Sequence, residues 1–248
     1  MLLAITSVLF SCEKDRDNPV NDEVLVIKAT GNIDDEVNSF RSLLGTLNTT
    51  PGVTGGRREI NWDAIPDNLD NTALPADFFN PTGENAPAAR QRGLTYSSVG
   101  SFMVSKDGFA TINNQASAQF AAFSGAKTFA NTSAKLWDNT FKKAGTTQAA
   151  SIKGYGLVFS DVDKESSTSL EFFNGNRSIG KYFAPAHDAT SSFSFLAVFF
   201  KNAEKITRVA ISHEGFLAAG NKDITDGGPE DLIVMDDFIY SEPVALGE

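Results

Sequence analysis

Cysteine and histidine are nearly missing from this chain. One cysteine, Cys12, stands among 248 residues, so an internal disulfide is excluded. The two histidines, His187 and His213, fall in different expected elements. No HExxH or Cys/His spacing joins them, which argues against a zinc centre. No GxSxG elbow marks a nucleophilic serine. Gly154-Tyr155-Gly156 is no phosphate loop, because no helix start follows it; it reads as a pair of strand glycines. Positive charge is also short, with 21 Lys and Arg against 31 Asp and Glu and a net charge of -10. That balance excludes nucleic acid as a partner and argues against electrostatic attachment to anionic lipid. Long helical patterns are absent as well. What the chain has in quantity is apolar mass, 41% of it with 20 phenylalanines, enough for a substantial core.

Residues 1–10 (MLLAITSVLF) form an apolar run too short to span a bilayer but suited to a signal peptide. No Lys or Arg precedes it. Leu9-Phe10-Ser11-Cys12 resembles the lipobox of bacterial lipoproteins. The resemblance implies a signal peptide over residues 1–11, a lipid on Cys12 as the only membrane attachment, and a charged tether over residues 12–22. The tether resembles the acidic signal that carries lipoproteins to the outer surface of the outer membrane in the Bacteroidetes group. The body, residues 23–248, is expected to be a single β-sandwich domain.

Residues 23–30 alternate as a first strand. Ile33, Val37, Phe40 and Leu44 then recur at helical spacing behind Asp34, Asp35 and Glu36, with Gly45 as the stop. One short amphipathic helix covering the sandwich is expected there. Residues 48–92 are rich in Pro, Gly, Asn and Asp and read as a long loop pinned by aromatics. Beyond Gly93 the pattern is all β. Strands are expected over residues 94–97, 101–105, 118–123, 135–137 with 140–142, 152–160, 169–174, 179–184, 194–200, 206–212 and 232–240, with turn signals between them. Residues 194–200 (SFLAVFF) are nearly continuously apolar and belong under cover on both faces. The fold class is all-β, a jelly-roll-like β-sandwich.

The blocks GRREINWD (56–63), ALPADFFN (73–80), GLVFSDVD (156–163), TSLEFFN (168–174), IGKYFAPA (179–186) and DLIVMDDFIYSEP (231–243) are together similar to an uncharacterised family of secreted bacterial proteins, many with a PEP-type C-terminal sorting signal. The resemblance covers roughly residues 33 to 243 and implies an envelope or extracellular location. This chain ends in VALGE, without that sorting segment.

GRREINWD is the first candidate site. On a strand, Glu59 and Asn61 share one face with Asp63 next along, while Arg58, Ile60 and Trp62 take the other. Two readings stay open. In one, Arg57 or Arg58 clamps a carboxylate from another strand and Trp62 donates its indole N–H to a backbone carbonyl. In the other, Trp62 stacks on a sugar while Arg57, Glu59, Asn61 and Asp63 bind hydroxyls. Extended, Glu59 and Asp63 would lie ~13 Å apart, far beyond the ~5–5.5 Å of a retaining glycosidase pair. Metal is the second candidate. Asp161 and Asp163 share a face, and Asp236 and Asp237 interrupt an apolar strand, where a naked carboxylate is expensive. Extracellular jelly-roll binding modules, which the chain resembles, hold structural calcium near aspartates of the last strand. Calcium is therefore expected at Asp236 or Asp237, or at Asp161 and Asp163. The alternative for the adjacent pair is one aspartate in solvent and one on an arginine. The acidic stretch 221–231 offers a second metal site by composition, but it lacks EF-hand spacing and reads rather as a solvated hairpin. These features together indicate a non-catalytic, calcium-stabilised surface module for extracellular glycan or matrix, with a polysaccharide or ester hydrolase as the alternative.

Overall fold

The computed structural model describes residues 23–97, 100–187 and 192–247. Cys12, the apolar run before it and the tether lie outside the described residues. In chain order the elements are β1 (Val24–Thr30), α1 (Asp34–Leu44), β2 (Arg57–Ile60), β3 (Leu94–Tyr96), β4 (Phe102–Ser105), β5 (Thr128–Asn131) and β6 (Leu136–Phe141). There follow β7 (Ala150–Ser151), β8 (Gly154–Ser160), β9 (Ser169–Asn174), β10 (Arg177–Phe183), β11 (Phe193–Phe200), β12 (Arg208–Ser212), β13 (Val234–Ser241) and β14 (Val244–Ala245).

Two antiparallel sheets form the sandwich. The larger runs β1-β11-β8-β13-β5-β4, with β2 also paired to β13; the smaller runs β10-β9-β12-β6-β3. Strand alternation decides what faces inward. In β6, Trp137, Asn139 and Phe141 are buried while Leu136, Asp138 and Thr140 look outward. Between the sheets lies a core dense in aromatics, among them Trp62, Phe129, Trp137, Tyr155, Phe172 and Phe238. One deep polar contact joins the two sheets, Asn139 Nδ2 donating to Tyr155 Oη at 2.6 Å.

The helix forms where the 3.6-residue spacing placed it. Its acidic first turn meets the positive end of the helix dipole, and the Gly45 N–H closes on the Arg41 carbonyl at 3.1 Å. Ile33, Val37, Phe40 and Leu44 pack on Val158, Phe195, Ala197 and Ile239, the outer face of the larger sheet. The two β8 glycines make this approach possible. A Cβ on Gly156 would stand 2.9 Å from the Phe40 ring, and one on Gly154 2.9 Å from Leu44 Cδ2. β11 is accordingly covered twice, by the core through Leu196 and Val198 and by α1 through Phe195 and Ala197. It lies one strand in from the edge, next to β1.

Three strand assignments differ from the sequence pattern. Residues 118–123 are not a strand: a 3-10 turn, Ser117–Gln119, leads into irregular chain whose amides bond to side chains. Thr128–Asn131 is β5, although it carries no turn-bounded apolar alternation. Arg57–Ile60, inside the expected loop, is β2. The rest of that loop is pinned as anticipated, by buried Ile65, Leu74, Phe78 and Phe79 and by Arg90 stacked 3.8 Å over Phe78.

Candidate functional site

The two sequence anchors meet. β13 pairs with β2 in register from Phe238↔Ile60 to Ser241↔Arg57. Upstream, Met235 pairs with Phe129 of β5. On the opposite side β8 runs the full length, but Met235↔Phe159 is followed by Phe238↔Leu157. Three steps on β13 thus match two on β8, so Asp236 and Asp237 form a β-bulge where the strand changes partner.

The bulge leaves ladder groups unpaired, and the aspartates supply the missing acceptors. Asp236 Oδ2 accepts the Phe123 and Ser124 amides at 2.6 and 2.9 Å, and its carbonyl accepts Trp62 Nε1 at 3.1 Å. Asp237 takes the Ser124 hydroxyl and Arg41 Nη2, the latter at 2.8 Å. Arg41, in the last turn of α1, also bonds both oxygens of Glu59 at 3.1 Å, and Arg57 Nε reaches the same carboxylate at 2.5 Å. The chain Asp237–Arg41–Glu59–Arg57 fastens helix and β2 to the bulge.

On the other face of β2, Arg58 is fully buried. Its fork meets Glu242 at 2.5 and 2.7 Å, and its remaining N–H groups go to the carbonyls of Asn48 and Thr50. The clamp reading of GRREINWD therefore holds. The sugar-platform reading fails at Trp62, which is 1% exposed. Its ring stacks on Phe129 at 4.1 Å and meets Phe79 and Phe238 edge-on, so neither face is open to a ligand. Its φ of 68° turns the chain out of β2. Asn61 alone of the set stands in solvent. Asp63 turns away to accept the Ala126 amide at 2.7 Å. There Gly125, at φ 63°, is obligatory, since a Cβ would sit 2.0 Å from Asp63 Oδ2.

The adjacent aspartates also depart from the calcium expectation. Arg41 supplies the positive charge beside Asp237, and neither carboxylate reaches solvent. Burial, with the Asp237 charge adding, pushes Asp236 up to about 8; burial raises Asp237 too. An acid whose folded pKa lies above its ordinary value near 3.8 holds its proton in the folded chain alone across that window. Stability then falls as pH rises from about 4 toward 8, by up to ~1.4 kcal/mol per unit. His213 works the opposite way. Burial lowers it from 6.5 to about 4, so its contribution is lost as pH falls through that range. Above pH 6.5 the Asp236 effect stands apart from it. Asp236→Asn is expected to flatten the decline in urea-unfolding stability between pH 6.5 and 8.5; an unchanged slope would remove Asp236 as its source.

The other metal candidates do come together. β8 ends at Asp161, whose φ of 71° turns the chain. One carboxylate oxygen each from Asp161, Asp163 and Asp223 lie within 4.8 Å of one another. The third member comes from the stretch expected to be a solvated hairpin. Instead Asp223 and Asp231 are fully buried, Asp223 as an acceptor for its own loop and Asp231 for the β8–β9 connection. Asp223 receives the Leu232 and Thr225 amides, both at 2.7 Å. Asp231 Oδ2 receives the Ser167 hydroxyl and the Lys164 amide, while Asp231 Oδ1 is buried with no hydrogen-bond partner among the described residues. Burial raises the Asp231 pKa, and the Asp223 charge adds to the rise.

Arg41, Ser124 and Glu242 were missed in the sequence, and Asp223 and Asp231 were named only within the acidic stretch 221–231. Glu242 carried a signal, together with Arg58. Arg58 shares a face with buried Ile60 and Trp62, and Glu242 lies in phase with buried Phe238 and Tyr240, so each inward charge called for the other. Comparison of the chain with protein-family models, with curated proteins and with solved structures finds no match, and the geometry of the site is the guide to its role.

Proposed function

We propose that the chain is a non-catalytic binding module of the cell envelope, lipid-anchored at Cys12, stabilised by calcium and directed at an extracellular glycan or matrix component. The outer face of the smaller sheet carries the binding part of this reading. There Thr140, Arg208, Phe173 and Ser178 form one rung, and Asp138, Ala210, Glu171 and Lys181 the next. Arg208 lies 3.6 Å over the Phe173 ring and bonds Asp138 at 2.8 Å. Ala210 thus shares this face with a guanidinium, two carboxylates, an ammonium and an aromatic ring. Hydroxyl-rich ligands call for such placed polar groups beside a ring. The glycan contact moves here from Arg57, Glu59, Asn61, Trp62 and Asp63. Calcium is assigned to Asp161, Asp163 and Asp223, an oxygen set suited to a hard cation that would tie the β8–β9 connection to the 221–231 loop. The repeated crossing of the chain between the two sheets from β5 to β13, broken only by the β9–β10 hairpin, supports the jelly-roll reading. The lipobox-like residues 9–12 and the block resemblance support the surface location.

The test is a glycan array with folded protein in calcium and in chelator. Binding to one glycan class, lost in both Arg208→Ala and Phe173→Ala, is the expected result. Silence, or binding indifferent to both substitutions, would sink the glycan reading. Calcium at a hundredfold excess over its Kd should add roughly 2.7 kcal/mol, or about 5–11 °C in Tm for a chain of this size. Asp223→Asn should abolish that shift; a wild-type Tm equal in calcium and chelator removes the metal.

One observation favours a hydrolase as second reading. Asp236, raised to about 8, adjoins Asp237 and the Ser124 hydroxyl, and displaced carboxylate pKa values gather at catalytic sites. Both carboxylates are walled in, so this reading needs turnover of a polysaccharide or ester that disappears in Asp237→Asn while the fold persists.

A further inference from the structure

An open cleft of about 390 Å³ lies at one end of the sandwich, between the C-terminal end of α1 and the β13–β14 turn. Leu43, Leu44, Ile152, Phe199 and Val244 give it an apolar lining. Among the described residues, the large apolar side chains left well exposed are Leu43, Leu47, Val53, Leu136, Val244 and Leu246. Leu43 and Val244 line the cleft itself, and Leu47, Val53 and Leu246 lie within three residues of lining residues along the chain. A concentration of that kind marks an interaction surface, whereas scattered exposed leucines do not.

We infer that this end of the sandwich is the face that lies on the lipid bilayer, with Leu43, Val244 and their apolar neighbours entering the boundary between headgroups and acyl chains. The inference rests on the lipid-anchored reading and adds an orientation to it. Charge agrees with it locally despite the acidic chain. Lys153 and Lys205 stand in the lining, and the one carboxylate there, Glu242, is taken up by Arg58. Headgroup phosphates at the lining would therefore meet ammonium groups, while apolar area supplies the attachment. Chain path agrees as well. The Glu23 carbonyl bonds the Lys201 amide at 2.7 Å, and Val24 pairs with Phe200, the neighbour of lining residue Phe199. The chain thus enters the fold on the groove side. Residues 12–22 span at most ~40 Å when fully extended, so a lipid on Cys12 keeps this end within reach of the membrane.

The test places an environment-sensitive fluorophore at Val244→Cys, with Leu43→Cys as a second position should the first disturb the fold and Leu136→Cys as the control. Acylation of Cys12 leaves the introduced thiol as the sole target; in an unacylated chain Cys12 is first changed to serine. The full chain is added to phosphatidylethanolamine–phosphatidylglycerol vesicles, with and without nitroxide-bearing lipid. The expected result is a severalfold rise in emission at 244 and 43, quenched by the nitroxide, with neither effect at 136. Labels at 244 and 43 that stay in water on an acylated, vesicle-bound chain overturn the inference and leave the anchor standing. Shielding that depends on protein concentration without vesicles also overturns it, since a second copy would then be the occupant. Intact mass reports the acyl group separately: an unacylated chain whose 244 label still enters the vesicles supports the inference and removes the anchor.

Discussion

Arg58→Ala is expected to destabilise the fold by about 3–5 kcal/mol, the range found when one partner of a buried ion pair is removed. On a chain of this size that is a fall in Tm of roughly 6–20 °C. The loss comes mainly from what stays behind. Glu242 would remain 5% exposed with its opposite charge gone, keeping only Asn48 Nδ2 at 2.8 Å, and the carbonyls of Asn48 and Thr50 would lose their donors. Arg58→Lys should recover little, because an ammonium cannot reproduce a fork that reaches both carboxylate oxygens and two carbonyls at once. An apolar replacement of both partners, Arg58→Met with Glu242→Leu, should recover much of the loss by removing the stranded charge. Urea unfolding of the three variants decides it. A loss under about 1 kcal/mol for Arg58→Ala, the size of an exposed pair, would mean that the clamp is not closed in solution.

Trp62→Ala carries the second large effect, about 3–5 kcal/mol for an aromatic truncated in a packed core. The indole contributes ring contacts to Phe129, Phe79 and Phe238 and a bond to the Asp236 carbonyl. It closes the core precisely where β13 passes from β5 to β2, so the cavity would open at the bulge. Binding measured per folded molecule should not change, whereas Arg208→Ala should spare stability and remove binding. That crossed pattern separates a core tryptophan from a ligand platform. If Trp62→Ala keeps its melting temperature and loses glycan binding, the burial of the ring does not describe the working protein.

The parts of this fold legible in the sequence were those set by local periodicity. The helix followed from Ile33, Val37, Phe40 and Leu44, and the two faces of β2 from alternation alone, with Arg58, Ile60 and Trp62 buried and Asn61 outward. The cover on both sides of β11 followed from its nearly unbroken apolar run. What stayed hidden depends on pairing across long separations. Nothing near Arg57 or Asp237 says that their strands lie side by side, 180 or so residues apart, because register is a property of two segments. The four residues RREI are too charged to announce a strand, and they form one because every charge is paired: Arg58 with Glu242, Glu59 with Arg41 of the helix, and Arg57 with Glu59 on the strand itself. The acidic loop failed for a related reason. Asp223 and Asp231 are polar by composition, yet they go inside, Asp223 to satisfy the amides of its own loop and Asp231 to satisfy the Lys164 amide of the β8–β9 connection. Asp161 and Asp163 were found as a pair; Asp223 completes the cluster only in three dimensions.

β13 touches β2, β5 and β8, so a segment near one end of the chain completes ladders begun at residues 57, 128 and 154. Such a topology carries a high contact order, and its closing step is late by construction. Until Val234 and the residues after it arrive, β8 lacks a neighbour on one side and β2 has no strand to lie on. A nascent or exported chain would then display raw sheet edges beside the apolar face meant for the core, the state most exposed to proteolysis and to pairing with other chains. The bulge bears on this moment. A strand that must dock against three partners in one motion can settle one residue out of place, and the extra residue at Asp236–Asp237, with its own set of donors waiting, distinguishes the correct docking from its neighbours.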